Sequence, residues 1–158
     1  MNLKTWKPYI ISAAIALGVG GLSALLSMEG MDIYTYTAVK PPLTPPGWIF
    51  SVVWTLLYVL MGISAARIWL AKESKERSRG LNLYVAQLIV NFFWSLLFFN
   101  TQAYGLAALW LILLWVLVLL MIVSFFKTDK LAAWLQIPYL LWLTFAAYLN
   151  IGVWFLNR

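Results

Sequence analysis

The residues best placed to do chemistry in this chain are neutral, because the usual reactive types are missing or lie outside its apolar stretches. It has no His and no Cys, which removes the commonest general base, the commonest metal ligand and thiolate chemistry. Its five acids, Glu29, Asp32, Glu73, Glu76 and Asp129, all fall between apolar blocks. A proton-coupled carrier or ion pump usually keeps an ionisable group within the membrane, so active cation transport is disfavoured, as is Ser-His-Asp hydrolysis. What remains is polar and aromatic side chains at helical spacing. Gln87, Asn91, Trp94, Ser95 and Phe98 share one face, as do Ser51, Trp54, Thr55, Tyr58 and Gly62, and also Tyr139, Trp142, Ala146, Asn150 and Val153. A buried indole needs an acceptor for its N–H, so Trp54, Trp94 and Trp142 within such faces predict an apolar cavity walled by indoles. Its ligand would be flat and hydrophobic. Interhelical hydrogen bonding alone is the plainer use for Gln87 and Asn91.

The elements that carry these faces follow from composition. The chain has 158 residues, 64% apolar and 10% charged, which fits one all-α membrane domain over 1–158. Five apolar blocks, about 9–28, 48–70, 81–99, 104–126 and 131–156, each reach the ~20 residues that cross a ~30 Å hydrocarbon core. The uncharged run Leu83–Phe126 would extend about 66 Å as one helix, so it must turn at Asn100–Gly105. A five-helix transmembrane bundle is the predicted fold, with the first block retained as a span rather than cleaved as a signal. Pro138 is expected to kink the fifth span. Ser12, Ala16, Gly20 and Ala24 form a small-residue ridge suited to close helix packing.

Charge sets the orientation. Lys4, Lys7, Lys72, Lys75, Arg77, Arg79, Lys127 and Lys130 lie on one side of the predicted spans, against Lys40 and Arg158 on the other. The positive-inside rule puts the N-terminus in the cytoplasm and the C-terminus outside. The net charge of +6 therefore points to a membrane surface rather than nucleic acid. Between the first two spans, about 29–47, the lid-like loop ends in Lys40-Pro41-Pro42-Leu43-Thr44-Pro45-Pro46, a stiff strap across the outer end.

Three ordered motifs now resemble the translocator protein family (TspO, the peripheral-type benzodiazepine receptor): Lys40–Gly62, Leu83–Phe99 and Pro138–Asn150. The resemblance covers nearly the whole chain and is of the bacterial type. It implies a five-helix bundle whose long first loop covers a ligand pocket. It also implies binding of porphyrins such as protoporphyrin IX or other lipophilic small molecules, and a role in tetrapyrrole regulation and stress. Some members promote light- and oxygen-dependent porphyrin breakdown. Trp54, Asn91, Trp94, Trp142 and Ala146 match pocket-lining positions, and Tyr58 and Gln87 join them by sharing their faces. Trp54 and Trp142 are the expected photochemical pair. Tyr34, Lys40, Pro41, Pro45 and Pro46 form the expected lid, although Tyr34 and Thr35 stand where the family often has Trp-Tyr. The cholesterol-type pattern is broken after Leu149-Asn150. No cofactor or metal is expected; the expected partners are a porphyrin-like ligand, membrane lipid and a second copy in a homodimer. The competing readings are a facilitated transporter of tetrapyrroles or lipophiles, and a lipid-binding protein that modulates a partner. The bacterial cytoplasmic membrane is the expected location.

Overall fold

The computed structural model describes residues 2–158. Five helices are long and apolar enough to cross a membrane: α1 (Leu3–Leu26), α3 (Gly47–Leu70), α4 (Lys75–Ser95, continued by a π-helical turn over Leu96–Asn100), α5 (Tyr104–Phe126) and α6 (Lys130–Leu156). The shorter α2 (Met28–Thr37) links α1 to the strap. Contacts run α1–α3–α6–α5–α4 and back to α1, closing a ring. Large apolar side chains such as Ile10, Ile15, Leu109 and Leu141 face outward, while Ser64, Gln87, Asn91 and Asn150 are buried and hydrogen-bonded. That inversion suits a protein whose outer solvent is lipid and whose polar groups must find partners inside. The chain is an integral membrane protein, and the five-span expectation holds.

The helix ends explain the boundaries. At the basic end, Ser74 Oγ accepts from Arg77 N (3.1 Å) to start α4, and Asp129 Oδ1 accepts from Leu131 N (3.0 Å) to start α6. Arg77 donates from Nη2 to Trp69 O (2.7 Å), covering a carbonyl at the end of α3. Arg67, in the last turn of α3, meets Asp129 at the start of α6 at 2.8 Å, so its charge is partnered. Pro138 lies inside α6, which remains one helical segment.

The segment read as a loop over 29–47 differs: its first part is α2. Ten residues rarely hold a helix alone. Here Gly30 lies against the Phe99 backbone, where an added Cβ would stand 2.6 Å from the carbonyl carbon. Lys40 folds back so that Nζ donates to Thr35 O (2.9 Å) and Ala38 O (3.2 Å), placing a cation on the C-terminal carbonyls of α2. Both supports are tertiary or involve a residue beyond the helix, so local pattern does not reveal them.

Gly62, expected on the inward face of span 2, instead seats α3 against α1: a Cβ there would fall on the Ala13 backbone. A prediction follows from contrast. Gly62→Ala should destabilise the bundle by about 1–3 kcal/mol, the usual scale of overpacking. Gly18→Ala and Gly21→Ala, which meet nothing within 4 Å, should be neutral or mildly stabilising. Thermal unfolding in detergent reads the difference; equal melting temperatures for all three would refute close α1–α3 packing at Gly62.

Candidate functional site

A cavity of about 330 Å³ opens beneath the strap at the end of the bundle away from the basic loops. Its wall draws on α1, α2, α3, α4 with its π-turn, and α6; α5 only backs the others. On α3, Phe50, Ser51, Trp54 and Tyr58 face inward together, because positions three to four apart share a helix face. The Trp54 ring lies 5.8 Å from Tyr58 and 6.2 Å from Tyr139. Tyr58 sits deeper and is buried, passing over Gly20, where any Cβ would collide with its ring. So Gly20, read from sequence as packing, also makes room for a cavity residue.

On α6, Trp142 and Ala146 line the cavity, with Leu149 and Asn150 beyond them. The Trp142 ring packs edge-on against Phe50 at 5.7 Å, and its Nε1 is buried with no hydrogen-bond acceptor among the described residues. Trp94 also lines the cavity, but its indole is committed elsewhere: Nε1 donates to Asn150 Oδ1 (3.0 Å) and the ring stacks on Phe98 at 5.3 Å. Asn150 in turn donates to Tyr104 O (2.9 Å). The three inward indoles therefore divide. Trp94 ties α4 to α6, while Trp54 and Trp142 keep their faces on the cavity.

Asn91 lies on the cavity floor and donates Nδ2–H to Tyr139 OH (2.9 Å). Gln87, expected to touch ligand, does not line the cavity. It lies one turn further toward the basic end, fully buried, where Oε1 accepts from Tyr139 OH (2.7 Å). Helical periodicity gives the face and not the depth, and the floor closes between Asn91 and Gln87.

The strap is fastened as well as stiff. Asn157 pairs with both backbone groups of Val39, accepting from its N–H at 2.8 Å and donating to its carbonyl at 2.8 Å. Tyr148 OH donates to Pro42 O (2.8 Å). Pro41 lies on Gly152, where a Cβ would stand 2.7 Å from Pro41 Cβ, so only glycine admits the strap there. Leu43 holds φ 70°, left-handed backbone that disfavours an L side chain by roughly 1–2 kcal/mol. The pinned turn around it maintains that conformation. Pro45 reaches the cavity, whereas Pro46 is the N-cap residue of α3.

Lys40 and Tyr34 complete the mouth. The Lys40 ammonium sits 4.9 Å above the Tyr34 ring and is directed to α2 carbonyls, so it ties the strap to the end of α2. Tyr34 packs edge-on against Phe98 (5.2 Å) and Phe99 (5.4 Å). Burial, with a smaller effect from Tyr104, pushes its hydroxyl up to about 12, so Tyr34 stays neutral at the mouth at physiological pH.

Several lining residues escape sequence reasoning. Phe50 lies four before Trp54, so the same spacing rule would have found it. Met31 and Phe99 had no such signal, since α2 and the π-turn bring them in.

This arrangement offers aromatic faces, few polar groups and a pinned cover. The sequence pattern of the TspO/MBR family matches residues 11–155. Protein CrtK of Rhodobacter capsulatus is 36% identical over 158 residues, covering 99% of this chain and 95% of its own length. Tryptophan-rich protein TspO of Chlorobaculum tepidum is 34% identical over 147 residues, 90% of this chain and 91% of that protein. Translocator protein of Sus scrofa is 34% identical over 152 residues, 94% of this chain and 89% of that protein.

Proposed function

Because the chain belongs to the TspO/MBR family, we propose that it is a membrane receptor for flat lipophilic ligands, metal-free porphyrins among them, held in the indole-walled cavity under the strap. The observation that carries this reading is the joint exposure of Trp54 and Trp142 to one apolar space, with Trp142 Nε1 unpaired. Because Nε1 is buried, a ligand acceptor reaches it only when the indole turns, and then gains a hydrogen bond that no described residue supplies. Haem iron would lack the usual His or Cys ligand, so the metal-free macrocycle is the better partner. The volume is at the small end of the ~300–1,000 Å³ typical of small-molecule pockets. A two- or three-ring ligand suits the closed form; a tetrapyrrole requires the strap to lift. Outside the cavity, Met61, Ile68, Leu111 and Leu143 are nearly or fully buried in the bundle, which favours a receptor over a conduit through it.

The proposal extends to light-driven porphyrin breakdown, with oxygen as oxidant and porphyrin as the substrate oxidised. Trp54 and Trp142 serve as electron-rich neighbours of the excited ring. The deciding experiment titrates purified protein with protoporphyrin IX by absorbance, in the dark and illuminated, with and without oxygen. Saturable binding in the dark and loss of the porphyrin spectrum only under light and oxygen are expected. Failure to bind any porphyrin would reject this ligand class.

We place the basic end in the cytoplasm of a bacterial cell and the strap outside, following the charge asymmetry. Native cysteines are absent, so single cysteines report cleanly. Thr37→Cys and Glu73→Cys fall at exposed positions at opposite ends. In intact cells an impermeant thiol reagent should label only Thr37→Cys; labelling of Glu73→Cys alone would invert the assignment.

A further inference from the structure

We infer that the cavity floor is a fixed hydrogen-bond acceptor, and that Met61, outside the cavity, sets this polarity through a buried relay that selects flat ligands carrying an N–H or O–H donor. This rests on the pocket reading above and specifies its ligand chemistry. The relay runs from Asn91 Nδ2 to Tyr139 OH (2.9 Å), from Tyr139 OH to Gln87 Oε1 (2.7 Å), and from Gln87 Nε2 to Met61 Sδ (3.9 Å). Gln87 and Met61 are fully buried and Tyr139 is 1% exposed, so water does not compete for these groups.

A hydroxyl has one proton, so the relay has a direction. Turning both amides over would reverse it without moving a heavy atom by much. The Met61 end breaks the tie. A thioether sulfur only accepts, so it takes the Gln87 N–H and would face the Gln87 carbonyl without a proton between them. Gln87 Oε1 must then accept the Tyr139 proton, and Tyr139 must accept from Asn91 Nδ2. What Asn91 has left is Oδ1, which accepts no hydrogen bond among the described residues, and a second Nδ2 hydrogen beside the Tyr58 hydroxyl. The Tyr58 hydroxyl on the same wall is the near neighbour for that hydrogen, which leaves Oδ1 to the ligand. A donor on the ligand therefore meets an oriented acceptor, and a ligand carbonyl at the same place meets another carbonyl.

Replacing Met61 by Leu keeps the volume but removes the acceptor. A buried N–H without a partner is tolerated less than a carbonyl in that state, so both amides turn and Asn91 presents its N–H₂ instead. The selectivity of the cavity should invert from a residue that touches no ligand.

The test uses protein in lipid nanodiscs and three tricyclic probes of nearly one shape: carbazole (N–H donor), fluorene (neither) and fluorenone (carbonyl acceptor). Comparing wild type with variants as ratios cancels both partition into lipid and any contact of fluorenone with Trp142. Wild type should favour carbazole over fluorene. In Met61→Leu, the ratio of carbazole to fluorenone affinity should fall about tenfold or more. Gln87→Leu should do the same, because the Tyr139 proton then has only Asn91 to bond. In a Tyr139→Phe background the Met61 effect should vanish. Binding of all probes with an unchanged ratio in both Met61→Leu and Gln87→Leu overturns the relay while leaving the pocket intact. Persistence of the Met61 effect in Tyr139→Phe overturns it as well. Absence of any probe binding to wild type rejects the pocket reading itself and the relay with it.

Discussion

Trp54→Phe and Trp142→Phe should leave porphyrin bound within about tenfold, or ~1.4 kcal/mol, while slowing illuminated breakdown by well over tenfold. Phenylalanine keeps an aromatic face against the ligand but lacks the electron-rich indole and its N–H. Trp94→Phe provides the contrast. It deletes the bond from Nε1 to Asn150 and leaves Asn150 Oδ1 buried without that donor. Its cost should appear as lower thermal stability by about 1–3 kcal/mol rather than as a photochemical defect at saturating porphyrin. Rates measured under oxygen with ligand saturating each variant separate the two effects. If both Trp54→Phe and Trp142→Phe degrade porphyrin at the wild-type rate, the indoles are walls and nothing more.

Gly152→Val should speed ligand release on the order of 10–100-fold. The valine side chain would occupy the place of Pro41, so the strap must rise from α6. Once raised, the paired bonds between Asn157 and Val39 and the bond from Tyr148 to Pro42 lengthen or break together. Each is worth about 0.5–1.5 kcal/mol, so losing two or three accounts for the range. Asn157→Ala and Tyr148→Phe should each produce a smaller part of the effect without the steric change. Association should change less for a small ligand, because affinity differences within one site usually reside in dissociation. A tetrapyrrole differs, since the closed cavity is small for it, and its association should quicken when the strap is loosened. Stopped-flow release of a small aromatic ligand from wild type and Gly152→Val decides the matter. Identical release rates would mean that the strap does not gate the cavity.

Replacing the four strap prolines by Ala should act more gently than Gly152→Val. Proline stiffens the path of the chain, but Asn157, Tyr148 and Gly152 fix where that path lies. Stiffness was legible in Pro41, Pro42, Pro45 and Pro46; the anchors were not, because they lie more than a hundred residues away in sequence.

The sequence by itself determined the class of the protein and part of the lining of its cavity. Apolar runs of membrane-spanning length dictate helices, since hydrocarbon leaves backbone groups no other partner. The i, i+4 recurrence of Trp, Asn and Tyr dictates which faces turn inward. Depth along those faces came only from the folded bundle, because periodicity repeats unchanged from one turn to the next. Asn91 and Gln87 share a face, yet one meets the cavity and the other lies beneath its floor. Trp94 and Trp142 look alike in sequence, yet Asn150 claims one indole and nothing claims the other. Helix α2 is likewise a tertiary product, held by the π-turn and by Lys40. Hydrogen-bond pairing depends on distances of a few tenths of an ångström between residues far apart in the chain, and only packing of the whole bundle sets those distances.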